Sequence, residues 1–162
     1  MSAWIGEEKL EKFLGQNEKG RPVLPDVGIV YVITCGGRYY IGQKRAWSMR
    51  TLKALKGTKR KRKRYTLNYE SYTGSSRELN EAIERGEQYT RRILYVGHSK
   101  SELSYVETYL QMRFHCTHDN LSYNQEVNIK GSRFKMREGW MDDLQQARES
   151  MIDVWNALDA GR

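Results

Sequence analysis

The chain has 162 residues and a formal net charge of +8. It contains no apolar run approaching about 18 residues and no N-terminal signal-peptide pattern, which argues against a membrane-spanning or secreted protein. We therefore expect a soluble cytoplasmic protein of one main domain, and its two cysteines provide neither a disulfide framework nor a paired zinc motif.

The positive charge is concentrated in one quarter of the sequence. Residues 27–69 contain twelve Lys or Arg and no Asp or Glu, so the other residues hold 16 basic and 20 acidic side chains, a net −4. This asymmetry predicts a polyanionic partner, most simply nucleic acid. The alternative is a solvated loop, but the six consecutive basic residues of KRKRKR repel one another unless something neutralises them. A membrane surface is disfavoured because no amphipathic basic helix accompanies the run.

The first 27 residues are predicted to form a short helix followed by a linker. Residues 2–14 carry apolar side chains at the spacing of an amphipathic helix. Residues 15–26 contain both prolines of the chain, which is typical of a connecting segment.

A β-hairpin is predicted next. Residues 28–34 are β-branched and aromatic, which favours a strand, and residues 38–42 return as a second strand. The two glycines between them, Gly36-Gly37, are a two-residue hairpin signal.

The hairpin pairing determines where two tyrosines lie. Counting back from the turn places Tyr31 opposite Gly42 and Ile33 opposite Tyr40, so all four residues share one face. Gly42 leaves space beside the Tyr31 ring, and a glycine inside a strand often marks a close approach by a ligand or backbone. Two tyrosines packed together in a core would fit the pattern equally well.

The middle of the chain is predicted to be basic and then helical. Residues 45–56 are predicted to form a basic helix that ends near Gly57, and residues 58–64 an unstructured basic loop. The sequence Ser75-Ser76-Arg77-Glu78 is a capping box that opens a helix to about residue 85, closed by Gly86.

The second half is predicted to contain a third strand and two further helices. Residues 89–96 form the strand, and the capping box Ser99-Lys100-Ser101-Glu102 opens a helix to about residue 115. Residues 138–159 form a long amphipathic helix. Its predicted apolar stripe consists of Trp140, Met141, Leu144, Ala147, Met151, Val154, Trp155 and Leu158. The predicted fold class is α+β, with a small central three-stranded antiparallel sheet flanked by helices and a C-terminal helix.

Glu107 occupies an unusual place in the second of these helices. It lies on the same stripe as Leu103, Leu110 and Phe114, where an unpaired carboxylate is unfavourable. Such a glutamate usually pairs with a cation or binds a metal. The alternative is an acid at the edge of the stripe that reaches solvent or Arg113.

Taken in order, these residues resemble the GIY-YIG nuclease family, which is named for two short strand motifs about ten residues apart. The second motif is present as Tyr40-Ile41-Gly42, and the first occurs in a variant form as Gly28-Ile29-Val30-Tyr31. The segments YTGSSRELNEAIERG and SKSELSYVETYL are similar to free-standing phage members. The resemblance gives a nuclease domain at residues 28–125 with a basic loop at 57–64, between an N-terminal region at 1–27 and a C-terminal extension at 126–162.

The resemblance implies a metal-dependent DNA endonuclease, in the host cytoplasm if it is encoded by a phage. Glu107 would hold one divalent cation, Mg²⁺ or Mn²⁺, while Tyr31 would orient and deprotonate the attacking water. Tyr40 would position the water or the phosphate, and Asn124 would either hold its loop or contact the residues that surround the site.

The family also carries an arginine on the helix after the second motif. Arg50, ten residues past Tyr40, is the best match, and it would grip a phosphate oxygen. Arg45 and Lys44 are nearer competitors, and Lys44 together with Arg50 would favour the Tyr31 phenolate. Some members carry a histidine one turn after the arginine, where this chain has Ala54.

The expected partner is DNA, with no membrane contact, bound by a monomer or a homodimer. The predicted DNA-binding residues outside the catalytic set are Arg45, Lys53, Lys59, Arg60, Lys61, Arg62, Lys63 and Arg64. The main alternative is a catalytically inactive nucleic-acid-binding module on a nuclease fold. Zinc binding and a purely structural role are weaker alternatives, because HCTH lacks the usual zinc-ligand spacing and a structural role leaves Glu107 unexplained.

Overall fold

The computed structural model describes residues 2–129 and 134–161. The elements in chain order are β1 (Trp4–Ile5), α1 (Glu8–Glu11), β2 (Gly28–Cys35), β3 (Arg38–Arg45), β4 (Trp47–Leu52), β5 (Arg62–Leu67), α2 (Arg77–Glu84), β6 (Tyr89–Gly97), α3 (Lys100–Arg113) and α4 (Trp140–Asp159). Strands β1, β6, β2 and β3 form a mixed four-stranded sheet in that order, and β4 pairs with β5 in a second sheet. The α+β class is confirmed, and the three predicted strands, β6, β2 and β3, pair antiparallel. The expected three-stranded sheet is not exact, because β1 adds a fourth strand in parallel to β6.

The β2–β3 hairpin has the predicted register. Tyr31 pairs with Gly42, and Ile33 pairs with Tyr40. Both turn glycines have positive φ, which glycine adopts without steric cost. The tight turn therefore fixes which tyrosines share a face.

The additional strand comes from the N-terminal region, where the predicted helix at residues 2–14 is wrong. Gly6 has a φ of +85°, which ends any helical conformation at that residue. Trp4–Ile5, before it, pairs in parallel with β6, and only one helical turn follows it. Trp4 is buried and donates a hydrogen bond from Nε1 to the Tyr69 carbonyl at 3.1 Å. Tertiary packing of the indole therefore outweighs the helical spacing.

The predicted basic helix at residues 45–56 is also wrong. Strand β3 continues to Arg45, and Ala46 connects it to β4, which pairs antiparallel with β5. We call residues 47–67 the basic arm. Its base is fixed because Trp47 is buried and Tyr65 packs against the same apolar cluster, while the connecting residues 53–61 are exposed. Part of the predicted basic loop is thus a strand.

The three longer helices cover the two faces of the main sheet. Leu79 and Ala82 of α2 pack with Ile29 and Ile33 of the sheet on one face. On the other face, α3 and α4 pack against side chains that alternate with these along β2. Both faces are therefore buried, which explains the continuous apolar run of β2.

The helix ends follow the capping signals closely. The cap of α2 is Ser76 rather than Ser75, because the Ser76 hydroxyl accepts from the Leu79 N–H, and Gly86 follows the helix with φ +88°. Ser99 caps α3 as predicted. Among the described residues, no helix is long and apolar enough to cross a membrane.

Candidate active site

A cavity of about 620 Å³ lies at the outer edge of β3. Strand β3 contributes Tyr40, the segment leading into α2 contributes residues 75–77, and α3 contributes Glu107 and Gln111. Residues 123–126 and 128 complete the wall. Because β3 lies at the edge of the sheet, side chains from both faces reach this cavity, and Tyr40 and Glu107 meet there.

Tyr31 and Tyr40 lie side by side, as the hairpin register predicts. Their ring centroids are 6.2 Å apart, and the Tyr72 ring meets Tyr31 edge-on at 6.0 Å. A Cβ on residue 42 would lie 2.5 Å from the Tyr31 hydroxyl oxygen and 2.7 Å from Cε1 of Tyr40. Gly42 is therefore required for this arrangement, and it leaves space beside the Tyr31 ring as predicted, but side chains rather than a ligand or backbone approach it closely.

The two tyrosines differ in their access to the cavity. Tyr40 is half-buried, lines the cavity and shares a 2.8 Å hydrogen bond with the Ser75 hydroxyl. Tyr31 is fully buried, and its hydroxyl forms no hydrogen bond of acceptable geometry within the described part of the chain.

The surroundings of Tyr31 oppose the phenolate expected of it. Burial, and then the neighbouring Tyr40 and Tyr72 hydroxyls, raise the pKa of Tyr31 well above the ordinary tyrosine value. The Lys44 ammonium lies 4.4 Å from the Tyr72 ring centroid. Tyr31 is therefore a neutral phenol near pH 7 in this environment.

Glu107 faces the cavity from α3 and is half-buried. Its carboxylate accepts hydrogen bonds from Nε2 of Gln43 at 2.6 Å and of Gln111 at 3.4 Å. Burial raises the pKa of Glu107 above the ordinary glutamate value, and the Gln43 hydrogen bond acts in the opposite direction. Arg113 instead lies near the Phe114 ring, so the alternative pairing with Arg113 is not observed.

The donor set around Glu107 fits a hard divalent cation. Both hydrogen-bond partners are neutral amides, so the buried negative charge is not balanced by them. No group of three or more His, Cys, Asp or Glu side chains in residues 2–129 and 134–161 is placed to hold a metal. Mg²⁺ commonly uses one or two carboxylates with water and substrate oxygens, which suits Glu107, with Glu126 on the same wall.

Asn124 closes the outer edge of β3. Its side chain accepts from the Ile41 N–H at 2.9 Å and donates to the Ile41 carbonyl at 2.8 Å. The Tyr39 backbone likewise bonds to Leu121 and Tyr123. Asn124 therefore holds the segment that follows α3 against the strand that carries Tyr40.

The structure does not place Arg50 at the cavity or on a helix. It lies exposed on β4 opposite Arg64, and Arg45 is exposed 3.4 Å from Asp26. The helix that follows the second motif begins after the basic arm, and its first residue, Arg77, lines the cavity. Sequence reasoning missed Arg77 because the arm separates it from Tyr40 by far more than the family spacing.

Other residues of the site carry weaker sequence signals. Gln43 follows the second motif directly and donates a hydrogen bond to Glu107. Ser75 does not cap α2, and its hydroxyl instead shares a hydrogen bond with Tyr40. The capping-box pattern predicts Ser75 as the helix cap, and only the structure shows that Ser76 is the cap and that Ser75 is available to the site. The predicted DNA-binding residues outside the cavity are all exposed.

The family model described as "Putative endonuclease segE, GIY-YIG domain" matches residues 12–127 of the chain. The chain belongs to the GIY-YIG nuclease family. The match includes both tyrosine strands, the basic arm, Glu107 and Asn124. No curated protein and no solved structure matched in the corresponding comparisons. Membership indicates a nuclease with DNA as its substrate, and the cavity of this GIY-YIG domain is its candidate active site.

Proposed function

We propose that the protein is a divalent-metal-dependent endonuclease that hydrolyses phosphodiester bonds in DNA. The observation that carries the proposal is one cavity in a GIY-YIG domain lined by Tyr40, Arg77 and Glu107. The two segments similar to free-standing phage members support a phage or mobile-element type of enzyme.

Arg77 is the cation that we assign to the scissile phosphate. It lies in the first turn of α2, where the helix dipole also favours an anion. Its Nε bonds to Glu81 at 2.7 Å, but the side chain is 92% exposed, and such surface pairs are weak enough to exchange for a phosphate. A planar guanidinium then binds two phosphate oxygens at once.

Glu107 is the residue that would hold the cation, with Mn²⁺ as an alternative to Mg²⁺. When bound, the ion would polarise the scissile phosphate and stabilise the leaving oxygen. Gln43 and Gln111 fix the orientation of the carboxylate through its two oxygens. Because β3 carries Gln43 and α3 carries Gln111 and Glu107, these two elements determine where the phosphate must lie.

The tyrosines have separate roles in this proposal. Tyr40, held by Ser75, orients the attacking water or a phosphate oxygen from the cavity wall. Tyr31 packs behind it as a neutral phenol and limits its movement. Proton abstraction by Tyr31, as the resemblance implies, would require a cation close enough to reverse the effect of burial on its pKa.

Cleavage of supercoiled plasmid tests the proposal. We expect the wild type to cleave with Mg²⁺ and not with EDTA, and Glu107→Gln to lose at least about 100-fold in rate while it still binds DNA. Glu84→Gln removes an exposed acid of α2 and should cleave normally. Unchanged cleavage by Glu107→Gln would remove the metal role, and absence of wild-type cleavage would favour the inactive binding module.

A further inference from the structure

The two strands of the basic arm present chemically different faces. Residues paired across antiparallel strands share a face, and alternate residues along each strand do so too. One face holds the pairs Trp47–Leu67, Met49–Tyr65 and Thr51–Lys63, and the other holds Ser48–Thr66, Arg50–Arg64 and Leu52–Arg62. We call Arg50, Arg62 and Arg64 the arginine face.

The packing of the arm sets the direction of these faces. Trp47 is only 6% exposed, and Tyr65 packs against the same apolar cluster. The face that holds both is therefore turned toward the domain at the base of the arm. The arginine face is turned away from the domain, and its three side chains are exposed.

The arginine face is electrostatically unfavourable in the isolated protein. None of its three guanidinium groups forms an ion pair among residues 2–129 and 134–161. Arg50 lies directly opposite Arg64, and like charges in that position destabilise a strand pair. A two-stranded sheet has little stability of its own. A polyanion against this face would remove the repulsion and stabilise the arm.

We propose that the basic arm lies in the major groove of duplex DNA with its arginine face toward the DNA. The proposal rests on the proposed function and deepens it by assigning the form of the substrate and the element that holds it. The major groove of B-form DNA admits a two-stranded β-ribbon, whereas the major groove of A-form RNA is too narrow for side chains to read. Guanidinium groups bind phosphates and guanine edges through two parallel hydrogen bonds.

The arm is continuous with the candidate active site. Strand β3 carries Tyr40 and Gln43 and leads through Ala46 into β4, so Arg50 follows Gln43 by seven residues. At the rise of an extended chain this spans at most about 23 Å, or roughly seven base pairs. A duplex gripped by the arginine face needs no more than about this length to reach the cavity.

Two double variants that remove the same charge test the orientation of the arm. Arg50→Gln/Arg64→Gln alters the arginine face, and Lys61→Gln/Lys63→Gln alters neighbouring exposed positions, with Lys63 on the opposite face. Both are made in the Glu107→Gln background so that substrate persists. Fluorescence anisotropy measures binding to a 20-base-pair DNA duplex, the matching RNA duplex and the single strand across a salt series, and circular dichroism checks folding.

We expect the arginine variant to weaken duplex-DNA binding about tenfold or more and to lower its salt slope by about 2, because two phosphate-neutralising charges are lost. The lysine variant should weaken duplex-DNA binding less than the arginine variant, although both lysines are predicted DNA-binding residues, because Lys63 lies on the face turned away from the duplex. The two variants should not differ on the RNA duplex.

Equal losses in both variants, or none in either, would overturn the assigned orientation. Equal affinity for the RNA duplex or the single strand would overturn groove binding. If wild-type protein still cleaves plasmid in those cases, only the role of the arm fails. If wild-type protein neither binds nor cleaves DNA, the proposed function fails as well.

Discussion

Gly42 shows how one residue constrains the whole site. Its lack of a Cβ allows the Tyr31 hydroxyl and the Tyr40 ring to occupy the space beside β3. The hydroxyl of Tyr31 is thereby buried next to Tyr40, which lines the cavity. The position of Tyr40 thus depends on the backbone of its own strand as much as on its hydrogen bond to Ser75.

Gln43 is predicted to set the pH range of cleavage. Its hydrogen bond lowers the pKa of Glu107, which burial raises. In Gln43→Leu the pKa of Glu107 should rise further, so the carboxylate is protonated at a higher pH. We expect the acid limb of the pH–rate profile to move to higher pH and to move back as Mg²⁺ is increased, because the cation competes with the proton.

Plasmid cleavage rates between pH 4.5 and about 8 at several Mg²⁺ concentrations measure this shift. Gln145→Leu removes an exposed glutamine of α4 and serves as the control. An acid limb that does not move in Gln43→Leu would show that Glu107 does not control cleavage through its charge.

At the scale of elements, the segment between the arm and α2 is held by one buried arginine. Arg91 of β6 is 2% exposed, and it donates to the carbonyls of Glu70 at 2.6 Å, Tyr72 at 3.1 Å and Ser2. Its guanidinium also lies over the Trp4 ring. Arg91 therefore connects the N-terminal region to the segment that carries Tyr72 and leads to Ser75.

Arg91→Met is predicted to reduce cleavage, although Arg91 is not among the residues that line the cavity. The loss of charged hydrogen bonds to carbonyls should lower the free energy of unfolding by about 3 kcal/mol. We expect kcat to fall more than DNA affinity, because Tyr72 and Ser75 lose their support while the arm is unchanged. Urea unfolding and steady-state cleavage measure both effects.

The control for Arg91 is its neighbour in the same strand. Arg92 is only half-buried and points to the opposite side of the sheet, so Arg92→Met should change the free energy of unfolding by less than about 0.5 kcal/mol. Similar losses from both substitutions would contradict a specific role for Arg91.

The elements also show what the sequence could and could not predict. The hairpin was predictable because a two-glycine turn fixes its register locally, and the helix ends because serine and glycine signal them. The basic arm was not, because β4 acquires its structure from pairing with a distant, highly charged strand that local reasoning treats as a repelling loop. Arg77 was missed because this arm separates it from Tyr40 along the chain, whereas Glu107 stood out within a single helix.

At the scale of the whole molecule, the C-terminal helix completes the second apolar core. Ala147 and Met151 of α4 are fully buried in the cluster that includes Leu94 and Leu110. Arg137, just before α4, bonds to the Val96 carbonyl at 3.0 Å and pairs with Glu102 at 2.9 Å. Helix α4 lies beyond the residues matched by the family model, yet it covers the face of the sheet opposite Tyr31.

Two methionines of α4 test whether this helix is part of the fold. Met151 is fully buried and Met141 is 67% exposed, although both were assigned to one stripe. At 3.6 residues per turn Met141 lies about 120° from Ala147, which explains its exposure. Met151→Ala should lower the free energy of unfolding by about 2–4 kcal/mol. Met141→Ala should change it by less than about 0.5 kcal/mol.

Urea unfolding compares these variants, and light scattering records their mass in solution. A destabilisation confined to Met151→Ala means that the stripe packs on the sheet of its own chain. Helix α4 then packs in the same core as α3, the helix that carries Glu107. A loss of mass in Met141→Ala would instead assign the exposed methionine to a seam between two copies. Equal small effects on stability would contradict the packing of α4 in the second core, because a buried methionine cannot be truncated without leaving a cavity.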